Sequence, residues 1–212
     1  MPVSELNILP QQGAWGIWRI EEHRSELWKQ LHTTDQCEAE YRQISHATKK
    51  LEWLASRLMI QKLIREFGES YQGIFKDGFG KPHLRNSRWS ISIAHCYPFA
   101  AGAINYKGSV GIDIERPRAQ LLKIAPRFLS EDEIEIAGED PDLLCHFWTG
   151  KEALYKIYGR KKLIFRKNIL LSPIASSDFQ GIISTDQGSN KYTINYHHTQ
   201  GHLVAFSREI SE

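Results

Sequence analysis

The chain has 212 residues, with 27 Lys and Arg against 25 Asp and Glu, a formal charge of +2, and 41% hydrophobic residues. That balance lacks the basic excess expected of a nucleic-acid binder, and no apolar run reaches the roughly 18 residues that a membrane-spanning helix needs. Cys37, Cys96 and Cys145 are odd in number and far apart with no CxxC pair, which argues against a disulfide framework or a structural zinc site. The start, Met1-Pro2-Val3-Ser4-Glu5, lacks the basic region and apolar core of a secretory signal, so a cytoplasmic location is expected. The length is large for one small domain and small for two large ones, which predicts two compact halves.

In chain order, Ala14 to Ile20 reads as a first strand, followed by a short charged helix to about Leu31. Ser45 can cap a long helix from Ala47 to Phe67, with Leu51, Leu54, Leu58, Leu63, Ile64 and Phe67 along an apolar stripe and Gly68 at its end. Arg57 falls off that stripe, where a solvated cation is the plain expectation. Asp77-Gly78 and Gly80 mark a turn, and Trp89 to Ile93 and Phe99 to Asn105 read as paired strands, with His95 just after the first. Tyr106-Lys107-Gly108 reads as the bridge between a first half, residues 1–108, and a second, residues 109–212.

The second half opens with a strand from Val110 to Ile114, stopped by Pro117. Ser130-Glu131-Asp132-Glu133 is a capping-box pattern for a short helix. Asp140-Pro141 supplies an N-cap and an N1 proline for a longer helix that Gly159 can close, with Phe147, Trp148 and Leu154 on its buried face. A meander of four strands follows: Leu163 to Leu171, Phe179 to Thr185, Tyr192 to His197 and Leu203 to Ser207. His197, His198 and His202 have no cysteine partner and read as solvent-facing. Each half thus mixes helices with a mostly antiparallel sheet, an α+β class.

Two segments concentrate the polar chemistry. In Gly111-Ile112-Asp113-Ile114-Glu115 a strand sends both carboxylates to one face, roughly 7 Å apart along the chain. In Phe147 to Lys156 a helix stacks Glu152 over Lys156 at i, i+4, with Lys151 about 100° round from Glu152. Asp113, Glu115 and Glu152 are oxygen donors suited to magnesium, and Lys151 and Lys156 are cations suited to a phosphate ester. Spacing alone leaves the plain alternative open: the solvated face of an edge strand, and a surface helix pair worth about 0.3–0.5 kcal/mol.

Taken together the motifs resemble the 4′-phosphopantetheinyl transferases, specifically the longer, surfactin-synthetase-activating type. Gly80-Lys81-Pro82 is similar to the family's GKP turn and Ser92-Ile93-Ala94-His95 to its serine-histidine strand. Gly111 to Glu115 is similar to its GxDxE strand, and Trp148 to Lys156 to its W-(S/T/C)-x-K-E-x-x-x-K helix, all in the family's order. The resemblance implies two similar α+β halves packed as a monomeric pseudo-dimer with coenzyme A in the cleft between them. It also implies transfer of the 4′-phosphopantetheine arm to a serine of an acyl or peptidyl carrier protein, with release of 3′,5′-ADP.

Position by position, the resemblance makes Asp113, Glu115 and Glu152 the magnesium ligands and Lys156 the lysine beside the scissile pyrophosphate. It makes His95 a ligand of the coenzyme A phosphates, brings Arg57 to the 3′-phosphate region, and sets Lys49, Lys50, Lys81 and Pro82 on the nucleotide side. Glu115 or Glu152 would take the serine proton. Two positions depart from the pattern: Ala94 stands where a serine is common, and Lys49 and Lys50 replace arginines, giving point charges in place of bidentate forks. Those departures keep in view a coenzyme A or nucleotide-binding module without transfer activity; a third reading is a metal-dependent phosphodiesterase with water as acceptor. Arg160-Lys161-Lys162, directly after the helix, either complements its C-terminal dipole for about 0.3–1 kcal/mol or docks an acidic carrier protein.

Overall fold

The computed structural model describes residues 3–10, 12–160, 162–174 and 178–209. The chain is α+β and divides into two compact units, one running to Val110 and the other from Gly111 to Glu209.

The first unit is a six-stranded sheet carrying a long helix. Its strands are β1 (Val3–Leu9), β2 (Gly13–Arg19), β3 (Ile74–Lys76), β4 (Pro82–Leu84), β5 (Ser90–Cys96) and β6 (Phe99–Asn105), in the order β1-β2-β6-β5-β4-β3 with antiparallel neighbours. Its helices are α1 (Arg24–Gln30), α2 (Asp35–Gln43) and α3 (Ala47–Glu66). Gly16 of β2 faces Gly102 of β6, and a Cβ on either would press into the Met59 side chain of α3. That glycine pair lets the helix lie close on the sheet.

Helix α3 starts as expected, but its N-cap is His46, with no side-chain cap bond, and not Ser45. The solvent face expected for Arg57 does not exist. Every residue from Leu54 to Gln61 is buried, because α3 has the sheet on one side and α1 on another. Gln61 marks that second contact: its side chain accepts from His32 N and donates to Gln30 O. Strand β1 and helix α2 add elements that the periodicity did not announce.

The second unit holds a five-stranded sheet of β7 (Val110–Glu115), β8 (Ile169–Pro173), β9 (Asp178–Thr185), β10 (Gly188–Thr199) and β11 (His202–Arg208), in the order β7-β11-β10-β9-β8. Around it lie α4 (Gln120–Phe128), α5 (Glu131–Ala137), α6 (Pro141–Tyr158) and the single turn α7 (Phe165–Asn168). The capping box of α5 forms as the sequence implies, Ser130 Oγ accepting from Glu133 N and Glu133 Oε2 from Ser130 N. Asp140 caps α6 through Asp142 N, and Gly159 ends it in a left-handed conformation at φ 64°.

The strand expected from Leu163 is shorter, since Asn168 Oδ1 accepts from Ile164 N and closes the α7 turn before β8 begins. Phe147 and Leu154 are fully buried against the sheet, and Trp148 packs edge-on to Phe128. Lys161 of the basic cluster lies outside the described residues, and Arg160 and Lys162 are exposed. Among the described residues no helix is long and apolar enough to cross a membrane.

Candidate active site

Gly111 explains how the two motif segments of the second unit meet. A Cβ there would collide with the carbonyl oxygen of Ala153, so β7 approaches the backbone of α6 as only glycine allows. Gly150 does the same one turn earlier, where a Cβ would run into the Tyr196 hydroxyl; that hydroxyl donates to His146 O at 2.7 Å. This contact sets Asp113 beside the C-terminal half of α6.

Lys156 Nζ donates to Asp113 Oδ1 at 2.7 Å and to Ile112 O at 2.9 Å. Asp113 Oδ2 is buried and has no hydrogen-bond partner among the described residues. Burial holds the Asp113 carboxyl above its ordinary range, opposed by the Lys156 ammonium and reinforced by the charge of Glu115. Glu152 is pushed up to about 7, first by burial and then by the negative charge of Asp113, with Glu115 adding and Lys156 opposing. Glu115 is partly open and lies 3.6 Å from Arg118. Two carboxylates whose affinity for protons is raised, Asp113 and Glu152, the first with one oxygen partnerless among the described residues and both beside the charge of Glu115, form an arrangement that a divalent cation would relieve. Among the described residues no group of three or more His, Cys, Asp or Glu side chains is set to hold a metal as it stands. The donor chemistry nonetheless suits magnesium, which takes one or two carboxylates and completes its shell with water and phosphate oxygens.

The second lysine of the motif is placed elsewhere. Lys151 is fully buried on the opposite side of α6, where Nζ donates to Glu133 Oε2 (2.6 Å), Phe128 O (2.8 Å), Ile169 O (2.6 Å) and Phe165 O (3.3 Å). Glu133 completes the network by accepting from Leu171 N at 2.7 Å. Lys151 is therefore a bolt joining α4, α5, α6, α7 and β8, not a cation beside the carboxylates. The sequence offered one signal for it, the acidic N3 residue of the α5 capping box, which the capping reading left without a second partner.

In the first unit the expected cations are engaged by acidic and aromatic neighbours. Arg57, 2% exposed, lies with its guanidinium carbon 3.6 Å from the Trp53 ring centroid and its Nη2 3.2 Å from Glu40 Oε2. Lys50 sits over Tyr41, whose ring leans on Trp53. Lys49 pairs with buried Glu52 at 2.8 Å, and the same carboxylate lies 3.4 Å from Nδ1 of exposed His95. His95 falls within β5 and not after it. The Gly80-Lys81-Pro82 turn is the β3–β4 hairpin, closed by Asp77 Oδ1 accepting from Phe79 N and Lys81 N, both at 2.9 Å, with Gly80 at φ 91°. Sequence reasoning missed Glu40 beside Arg57 and Glu52 beside His95, because partners 17 and 43 positions apart in a chain give no local sign of pairing; the Lys49–Glu52 pair, at i, i+3, was the local signal available.

Residues 109–207 match the sequence model of the 4′-phosphopantetheinyl transferase superfamily. The chain is 34% identical over 91 residues to the 4′-phosphopantetheinyl transferase HetI of Nostoc sp. (strain PCC 7120), a match covering 38% of each chain. It is 32% identical over 116 residues to the 4′-phosphopantetheinyl transferase psf-1 of Bacillus pumilus, covering 50% of this chain and 49% of that protein. The chain thus matches less than half the length of these curated relatives. The match to the superfamily falls on the second unit and takes in its GxDxE strand and KExxxK helix.

Proposed function

We propose that the protein transfers the 4′-phosphopantetheine arm of coenzyme A to a serine of an acyl or peptidyl carrier protein and releases 3′,5′-ADP. The observation that carries this reading is the meeting of Asp113, Glu152 and Lys156: a buried carboxylate with one oxygen on a lysine and the other partnerless, beside a second carboxylate pushed up to about 7. The first unit's motifs fit the longer, surfactin-synthetase-activating type, acting as a cytoplasmic monomer.

Asp113, Glu115 and Glu152 would hold magnesium, which supplies charge neutralisation at the pyrophosphate when bound. In the reaction the serine oxygen bonds to the phosphorus on the pantetheine side. The bond from that phosphorus to the bridging oxygen breaks, and its electron pair leaves with 3′,5′-ADP. Glu115 or Glu152 takes the serine proton. Lys156, held by Asp113 and the Ile112 carbonyl, points a fixed charge at the leaving phosphate, a form of stabilisation that needs no rearrangement during the reaction. Lys49, Lys50, Lys81, Pro82 and His95 take the nucleotide side. Arg57, buried on Trp53 and Glu40, serves there as a support beneath the Tyr41–Lys50 stack and not as a direct phosphate ligand. Exposed Arg160 and Lys162, with Lys161, offer the docking charge for an acidic carrier.

Incubation with coenzyme A and magnesium, with and without an apo carrier protein, tests the reading. Release of 3′,5′-ADP only when the carrier is present is expected. Release without it would favour a hydrolase, and no release a binding module.

A further inference from the structure

On the second unit's sheet, α6 and β10 bring together two histidines that the transfer reaction does not use. The ring centroids of His146 and His198 are 5.5 Å apart. His146 Nδ1 lies 2.8 Å from the carbonyl oxygen of Asp142, and a carbonyl only accepts, so Nδ1 carries the proton and Nε2 presents its lone pair. The ring is held further by Phe179, stacked at 16°, and by Tyr196 at 4.7 Å. A histidine whose second nitrogen donates to a backbone carbonyl is the usual form of a metal-bound imidazole, its tautomer and orientation already set. His198 is exposed on β10, and among the described residues no hydrogen bond engages its nitrogens or His146 Nε2.

We propose that His146 and His198 form a two-imidazole site for a borderline divalent first-row ion, of which zinc is the type, with water filling the remaining positions. The spacing fits. Two imidazoles on one tetrahedral zinc, each nitrogen about 2.0–2.1 Å from the ion and each centroid about 1.2 Å beyond, have centroids about 5.3 Å apart. The ligand type separates this site from the carboxylates, since imidazole favours zinc, nickel and copper while magnesium keeps to oxygen. Among the described residues no third His, Cys, Asp or Glu completes a cluster, so the ion would be bound from one side and reached from solvent. Sequence reading had left His198 solvent-facing for want of a cysteine; its partner lies on a helix 52 positions earlier in the chain. An ion here would clamp β10 to α6, the helix that carries Glu152 and Lys156.

The test is a zinc titration of the full chain in excess magnesium, followed by thermal unfolding and by the imidazole signals of the two histidines. The unfolding midpoint should rise with zinc, and the His146 and His198 signals should shift together. His198→Asn, an exposed change that leaves the fold alone, should remove the rise, and His146→Phe should remove it as well. No rise in the wild type, an undiminished rise in His198→Asn, or a rise lost only in Asp113→Asn would each overturn the site. The last outcome would place the ion at the carboxylates. None of these results depends on whether the protein transfers phosphopantetheine.

Discussion

Lys156 Nζ sits 2.7 Å from Asp113 Oδ1 while the other oxygen of the same carboxylate is buried without a partner among the described residues. Lys156 satisfies half of Asp113, and the other half meets no hydrogen-bond donor among the described residues. A group arranged in this way lowers the stability of the ligand-free fold, which makes activity and stability separable by mutation.

The first prediction uses that separation. The ordinary carboxyl value is 4.5 and Glu152 is pushed up to about 7 in the fold, so the native state holds a proton that the unfolded chain has lost. Stability of the metal-free protein should fall as pH rises from 4.5 through about 7, with the full loss present above it. Glu152→Gln should flatten that dependence and raise the unfolding midpoint near pH 8, while transfer drops by at least about a hundredfold. Thermal scans across pH check the first part. A variant that is less stable than the wild type at pH 8 would contradict it.

A second prediction concerns Lys156. With the proposed role of Lys156, a charge aimed at the leaving phosphate, Lys156→Ala should lower kcat by about two to three orders of magnitude with a smaller change in KM for coenzyme A. Steady-state kinetics decide it. A rise in KM alone would make Lys156 a ground-state ligand.

Lys151 and Glu133 give a prediction of the opposite kind. Their side chains are 0% and 3% exposed, and Lys151→Met leaves a buried carboxylate without its cation, at a loss of about 3–5 kcal/mol. Lys151→Met with Glu133→Gln keeps the α5 cap and removes the stranded charge, so it should recover part of that loss. Denaturant unfolding of the single and double variants measures the recovery, and a strictly additive pair would show that the two do not act together.

How much of this was legible in the sequence depends on distance along the chain. The α5 capping box, the Asp140-Pro141 start and Gly159 stop of α6, and the alternation that sends Asp113 and Glu115 to one face are all written within a few residues, and all formed. Arg57 and Lys151 were misjudged because their surroundings come from elsewhere. Helix α1 packs against α3, Glu40 and Tyr41 of α2 reach Arg57 and Trp53, and Glu133 reaches Lys151 across 18 positions. Gly111 was visible as part of a motif, but its reason, the Ala153 carbonyl against its Cα, belongs to packing and not to pattern.

A fourth prediction follows from His146, whose imidazole is held below its ordinary value of 6.5, first by burial, with the Asp142 carbonyl opposing and His198 adding. The fold keeps the neutral ring, so its contribution is present above pH 6.5 and is lost as pH falls below it toward the depressed native value. This contribution opposes that of Glu152 over part of the same range, so it shows as a difference: on acidification from about pH 7.5 to 5.5 the unfolding midpoint of His146→Phe should rise more, or fall less, than that of the wild type. An identical slope in the variant would remove His146 from the acid sensitivity.

The most direct test of the central claim is the mass of an apo carrier protein after incubation with the protein, coenzyme A and magnesium. The account predicts a gain of one phosphopantetheine arm on the carrier serine, abolished by a chelator and by Asp113→Asn, with the variant still folded. An unchanged carrier mass with well-folded wild-type protein, or a full mass gain in the chelator, would contradict it.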